Sequence, residues 1–98
     1  MESLKIVWKR RAIQQANAIA CWYETYCGSI FATKFVQTIH DTTRLLAKTP
    51  TIGVQEQSGN KSKKPYYSFL AHPKYRVVYS YTSRTLYIIG FRATQRKS

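Results

Sequence analysis

The sequence predicts an α+β domain of order β-α-α-β-β-β, in which a two-helix hairpin packs on a small antiparallel sheet. Three observations predict it. Apolar residues recur at three- and four-residue steps through most of the first half, a Gly-Ser joint divides that helical stretch in two, and three β-branched and aromatic runs fill the second half. Turns of about three residues between those runs make them hairpins.

The first element is a short strand over Leu4-Lys5-Ile6-Val7-Trp8, β-branched and aromatic in content. A helix follows from Lys9 to Cys27, with Ile13, Ala16, Ile19, Ala20 and Tyr23 as its apolar positions and Arg10, Arg11, Gln14, Gln15 and Asn17 elsewhere. Gly28 suits the C-cap of that helix and Ser29 the N-cap of the next. The second helix spans Ile30 to Lys48. Phe31, Phe35, Ile39 and Leu46 form its stripe, with Val36 and Leu45 at the edges, and Pro50 and Gly53 end it.

The polar stretch from Gln55 to Pro65 reads as an exposed loop carrying Lys61, Lys63 and Lys64. Strands follow at Tyr66 to Ala71, Tyr75 to Tyr81 and Thr85 to Phe91, and a basic tail runs from Arg92 to Ser98. With 98 residues, no internal repeat and no low-complexity tract, residues 1–98 make a single domain. A chain of this length buries about two-thirds of its unfolded surface, which supports one modest core.

Composition narrows the function classes. A hydrophobic fraction of 44% is too high for a disordered chain. No run approaches the roughly 18 apolar residues of a membrane span, and the N-terminus lacks the apolar core of a signal peptide, so a cytoplasmic location is expected. Cys21 and Cys27 lie six residues apart on one helix, about 9 Å along its axis, too far for a disulfide. They read as reduced, semi-buried thiols. No Cys or His pair has metal-site spacing, and neither metal nor cofactor is expected.

Charge is the strongest compositional signal. Sixteen Lys and Arg against four Asp and Glu give +12, an imbalance that a polyanion or an acidic partner would offset. A membrane surface is the weakest of the candidates, because no helix combines a basic face with a strongly apolar one.

Four segments carry a family resemblance. Lys5-Ile6-Val7-Trp8-Lys9-Arg10-Arg11-Ala12 resembles the first strand and basic helix start of the RelE/ParE superfamily of bacterial toxins. Leu45-Leu46-Ala47-Lys48-Thr49-Pro50-Thr51-Ile52-Gly53 is similar to its Leu-x-x-x-Pro-x-x-Gly signature, and Tyr75-Arg76-Val77-Val78-Tyr79 to its Tyr-Arg-Val/Ile-Val/Ile-Tyr strand. Leu86-Tyr87-Ile88-Ile89 then precedes an arginine-bearing tail. The resemblance covers essentially the whole chain. It implies a toxin silenced by an acidic antitoxin in a hetero-oligomer. RelE-like members cleave messenger RNA in the ribosomal A site, and ParE-like members poison DNA gyrase.

Under the resemblance, Arg76 and Arg96 match the arginines that clamp phosphate in the ribonucleases, a task suited to bidentate guanidinium. The two strand lysines of those enzymes align with Tyr67 and Phe69, which are not cations. The tail tyrosine falls past Ser98, and the His-Tyr tail pair of YoeB-like relatives aligns with Thr94 and Gln95. Lys61, Lys63 and Lys64 either substitute for the missing lysines or form a solvated charge run. ParE-like members also lack the catalytic set, although an arginine that many carry near the start of the second strand of the chain is Ser68 here, in the first strand of the meander. The resemblance therefore implies gyrase slightly ahead of the ribosome, with an inactive antitoxin-binding homologue as a third reading. Arg76, Tyr79, Arg92, Arg96 and Lys97 are the expected contacts for target or antitoxin.

Several residues invite two readings. His72, before Pro73, is a turn residue or a general base, and turn placement is favoured. His40 is isolated. The tyrosines of the meander either stack on bases or line a sheet face, and Tyr75, Tyr79 and Tyr81 share one parity. Arg76 points to the opposite face, where it meets an external anion, an antitoxin carboxylate or a local salt-bridge partner.

Overall fold

The computed structural model describes residues 3–56 and 65–94. The elements are β1 (Lys5–Trp8), α1 (Arg10–Cys27), α2 (Ser29–Lys48), a 3-10 turn (Pro50–Ile52), β2 (Val54–Glu56), β3 (Tyr66–His72), β4 (Tyr75–Tyr81) and β5 (Thr85–Ala93). They build a two-helix hairpin on one five-stranded sheet of order β1-β5-β4-β3-β2.

The α+β architecture is the one the sequence predicts, with two differences in the sheet. β1 joins β5 in parallel, from Lys5 beside Thr85 to Trp8 beside Ile88, so the sheet is mixed. Val54 to Glu56, which takes in the first two residues of the expected Gln55–Pro65 loop, forms an extra antiparallel edge strand against Ser68 to Tyr66. Both pairings join segments distant in sequence, where alternation within a segment carries no information about its neighbour.

Gly28 joins the helices at φ +98° and ψ 165°, backbone that essentially only glycine adopts. Its N–H bonds the Tyr23 carbonyl at 2.9 Å, and its carbonyl accepts from Ala32 at 3.2 Å. One residue thus closes α1 and opens α2. Ser29 is already helical, and Gly28 occupies the N-cap position expected for it.

The core forms between the hairpin and one sheet face. Tyr23, Phe35, Ile39, Leu46, Val77, Tyr79, Leu86, Ile88 and Phe91 are buried there, each aliphatic side chain contributing roughly 1.5–3 kcal/mol. The expected helix stripes are rotated slightly. Ala12 is fully buried in place of Ile13, which is 45% exposed, and Phe31 is 56% exposed. Cys21 and Cys27 are likewise exposed, not semi-buried.

Gln15, expected on the polar side of α1, also turns inward. β1 has ended at Trp8, and the Gln15 Oε1 accepts the Phe91 N–H at 2.8 Å where, among the described residues, no strand lies alongside. The adjoining stretch of β5 carries a register shift against β4, between the Val78–Gly90 and Tyr79–Ile88 pairs. Thr42 and Thr43, buried in α2, satisfy their hydroxyls on the carbonyls of Thr38 and His40.

Candidate functional site

Strand alternation sorts the meander into two faces. Tyr67, Phe69, Tyr75, Val77, Tyr79 and Tyr81 face the helices, where Tyr67, Tyr79 and Tyr81 pack ring against ring at 5.2–6.3 Å. Arg76, Val78 and Ser80 face the other way, with Ser68 and Leu70 of β3, Arg92 of β5 and Glu56 of β2. The tyrosine parity expected from the sequence is the one that packs the sheet.

Tyr79, one of the expected contact residues, has no exposed surface. Its hydroxyl donates to the Pro50 carbonyl at 2.6 Å and accepts from the Gly53 N–H at 3.0 Å. The Tyr-Arg-Val-Val-Tyr strand and the Leu-x-x-x-Pro-x-x-Gly segment therefore meet in this one interaction. Burial also raises the Tyr79 pKa, keeping the hydroxyl a donor. Its work is to hold the chain after α2 onto β4.

Arg76 and Arg92 stand directly opposite each other on β4 and β5, a like-charge pair that needs compensation. Glu56 supplies it. Its Oε2 lies 2.7 Å from the Arg92 guanidinium and accepts the Ser68 hydroxyl at 2.5 Å. Arg76 completes the cluster by donating from Nε to the Ser68 Oγ at 2.9 Å and toward the Ser68 carbonyl at 3.4 Å. Hydrogen bonds from Arg92 and Ser68 hold the Glu56 carboxyl below its ordinary range, and the nearby Arg76 charge adds to the effect. The same pair raises Arg92. Ser68 is fully buried, whereas the Arg92 side chain is 47% exposed.

Beside this cluster lies a shallow cleft of ≈ 380 Å³ whose lining includes Arg11, Arg92, Tyr66 and the paired Val78 and Gly90. Arg11 joins the open face through the geometry of α1, which no local pattern announced. Glu56 belongs to no local motif, and its one mark in the sequence is that nine Lys and Arg follow it and no acidic residue does. An acid so isolated among cations is a natural ion-pair partner.

The other expected residues divide. Lys61, Lys63, Lys64, Arg96 and Lys97 lie outside the described residues. Tyr67 and Phe69, the positions that align with the strand lysines, pair with Tyr79 and Val77 and face the helices, opposite to Arg76, with a register shift between Leu70 and His72. The true neighbours of Arg76 on its face are Ser68 and Leu70. No lysine or arginine occurs anywhere in Tyr66–His72.

His72 is packed among the rings of Tyr23, Phe35 and Tyr75 at 5.7–6.0 Å, on the helix side. Its Nδ1 accepts the Lys74 N–H at 3.1 Å, as a turn residue does, and burial followed by the Lys74 charge lowers its pKa. His40 is exposed on α2. Among the described residues, no three His, Cys, Asp or Glu side chains form a metal-binding group. At the hairpin joint Trp22, Tyr26, Ile30 and Phe31 are exposed together in sequence and partly stacked, with Trp22 and Tyr26 at 5.3 Å.

The family model described as ParE toxin of type II toxin-antitoxin system, parDE, matches residues 6–97. Among solved structures, the chain is similar to one from the chromosomal ParDE TA system of P. aeruginosa, with a TM-score of 0.74 at 17% identity over 95% of this chain and 98% of that one. It is also similar to a YoeB/ParE toxin from Agrobacterium tumefaciens, with a TM-score of 0.61 at 21% identity over 94% and 100%. A third similar structure is the YoeB dimer from Staphylococcus aureus, with a TM-score of 0.60 at 17% identity over 91% and 94%. At these identities the structural likeness concerns the fold. No curated protein matches the sequence.

Proposed function

This chain belongs to the ParE toxin family of type II toxin–antitoxin systems, and from that premise we propose that it arrests growth by inhibiting DNA gyrase in the cytoplasm until a cognate acidic antitoxin binds it. The observation that carries the choice of target is the chemistry of the open sheet face. RNA cleavage needs a general base with a pKa near the working pH and cations around the phosphate. Here the carboxylate beside the arginines is held low by Arg92 and Ser68, the wrong direction for a base. β3 offers no lysine, and His72 faces the helices. Among the described residues, the face carries an arginine pair and no group poised for proton transfer.

The net charge of +12 supports an acidic partner, and the exposed apolar residues at the hairpin joint support a protein one. Induced expression tests the reading. Growth arrest accompanied by trapped DNA breaks, an SOS response and loss of supercoiling by purified gyrase is the expected result. Codon-dependent cuts in translated messages, with gyrase unaffected, would replace it with the ribonuclease reading. Normal growth alongside tight co-purification with the antitoxin would leave a binding module.

A further inference from the structure

The Ser68–Arg76–Arg92 cluster is a receptor for a carboxylate, and the chain fills it with its own. Three central strands supply the receptor. Ser68 is fully buried on β3, Arg76 is fixed against it from β4, and Arg92 reaches over from β5. The resident ligand arrives from a different kind of element. Glu56 lies in the strand Val54–Glu56, which among the described residues is the sheet edge and pairs with β3 alone, with Val54 60% exposed and Gln55 exposed before it. The receptor belongs to the central strands, and its occupant belongs to the edge strand.

We propose that β2 is an exchangeable placeholder: an extended acidic segment of a partner protein displaces it, pairs antiparallel with β3, and places its own carboxylate on Ser68 and Arg92. Departure of β2 exposes the free edge of β3, the standing template for strand addition. It also leaves two opposed arginines uncompensated, so only a strand bearing an anion in the Glu56 register restores both the ladder and the charge balance. Charge selects the occupant further. A chain of +12 attracts acidic segments, and the resident ligand is a carboxylate presented from extended backbone, not a phosphate. The lowered Glu56 pKa is consistent with a site built for the charged form.

This inference takes the need for an acidic partner from the proposed function, but its test uses the chain's own strand and fails independently of any toxicity. The probe is a synthetic peptide copying residues 49–56, with a twin in which the glutamate is glutamine. Added to the full-length Glu56→Gln chain, the glutamate peptide shifts the side-chain NMR signals of Arg76 and Arg92. It binds that variant at least tenfold more tightly than the wild type, whose site is self-occupied, and the glutamine twin binds at least tenfold more weakly. Equal binding to variant and wild type, or equal binding of the two peptides, overturns the proposal. Amide hydrogen exchange on the unmodified chain provides a second readout that does not depend on the variant folding. The ladder amides between β2 and β3 are expected to exchange at least tenfold faster than those between β4 and β5. Equal protection overturns the exchangeable strand.

Discussion

A Cβ placed on Gly53 would lie 2.1 Å from the Tyr79 hydroxyl oxygen, so glycine is required there for the close approach of the side chain. Its φ of −76° is ordinary, and conformational freedom is not the reason. Gly53→Ala is expected to cost about 1–3 kcal/mol by overpacking. Tyr79→Phe, which strands the Pro50 carbonyl and the Gly53 N–H, is expected to cost about 1–3 kcal/mol. Because both changes act on one contact, urea unfolding of the double variant should show less than the summed loss; strict additivity would mean the two residues are not coupled.

Gly28 presents the opposite case. Nothing lies within 4 Å of a Cβ built on it, yet its φ is +98°. The cost of Gly28→Ala is therefore backbone strain alone, about 1–3 kcal/mol. Thermal or urea unfolding measures it, and a variant as stable as the parent would show that the joint has another accessible conformation.

His72 makes folding sensitive to mild acid. Its folded pKa lies below the ordinary 6.5, since burial among Tyr23, Phe35 and Tyr75 disfavours the imidazolium. Protons bind the unfolded chain first, so stability from this group is present above about pH 6.5 and falls as the pH drops toward the lower folded value. The urea midpoint should decline between pH 7.5 and 5.5 in the parent and stay flatter in His72→Phe.

Glu56 acts in a lower window. Its folded pKa is depressed from 4.5 by hydrogen bonds from Arg92 and Ser68. Its contribution is present above the unfolded value and is lost as the pH falls through the folded one. The parent should exceed Glu56→Gln in stability at pH 6, with the gap narrowing toward pH 3. A constant gap would indicate a contribution from shape and not from charge.

Much of this molecule is determined by its sequence alone, because the deciding forces are local. Glycine at the joint, proline after α2 and the two-residue alternation of the meander settle the helix ends, the strands and the common face of Tyr75, Tyr79 and Tyr81. The absence of a strand cation from Tyr66–His72 is a matter of composition and holds in any register. Tertiary structure decided what depends on distant partners. A helical period of 3.6 allows adjacent apolar stripes, and packing chose Ala12 over Ile13 and turned Gln15 toward Phe91. The parallel docking of β1 and the addition of β2 join segments that no local pattern links. Glu56 reached Arg92, 36 residues away, only when β2 closed the sheet edge, and that closure turned two opposed arginines into an occupied site.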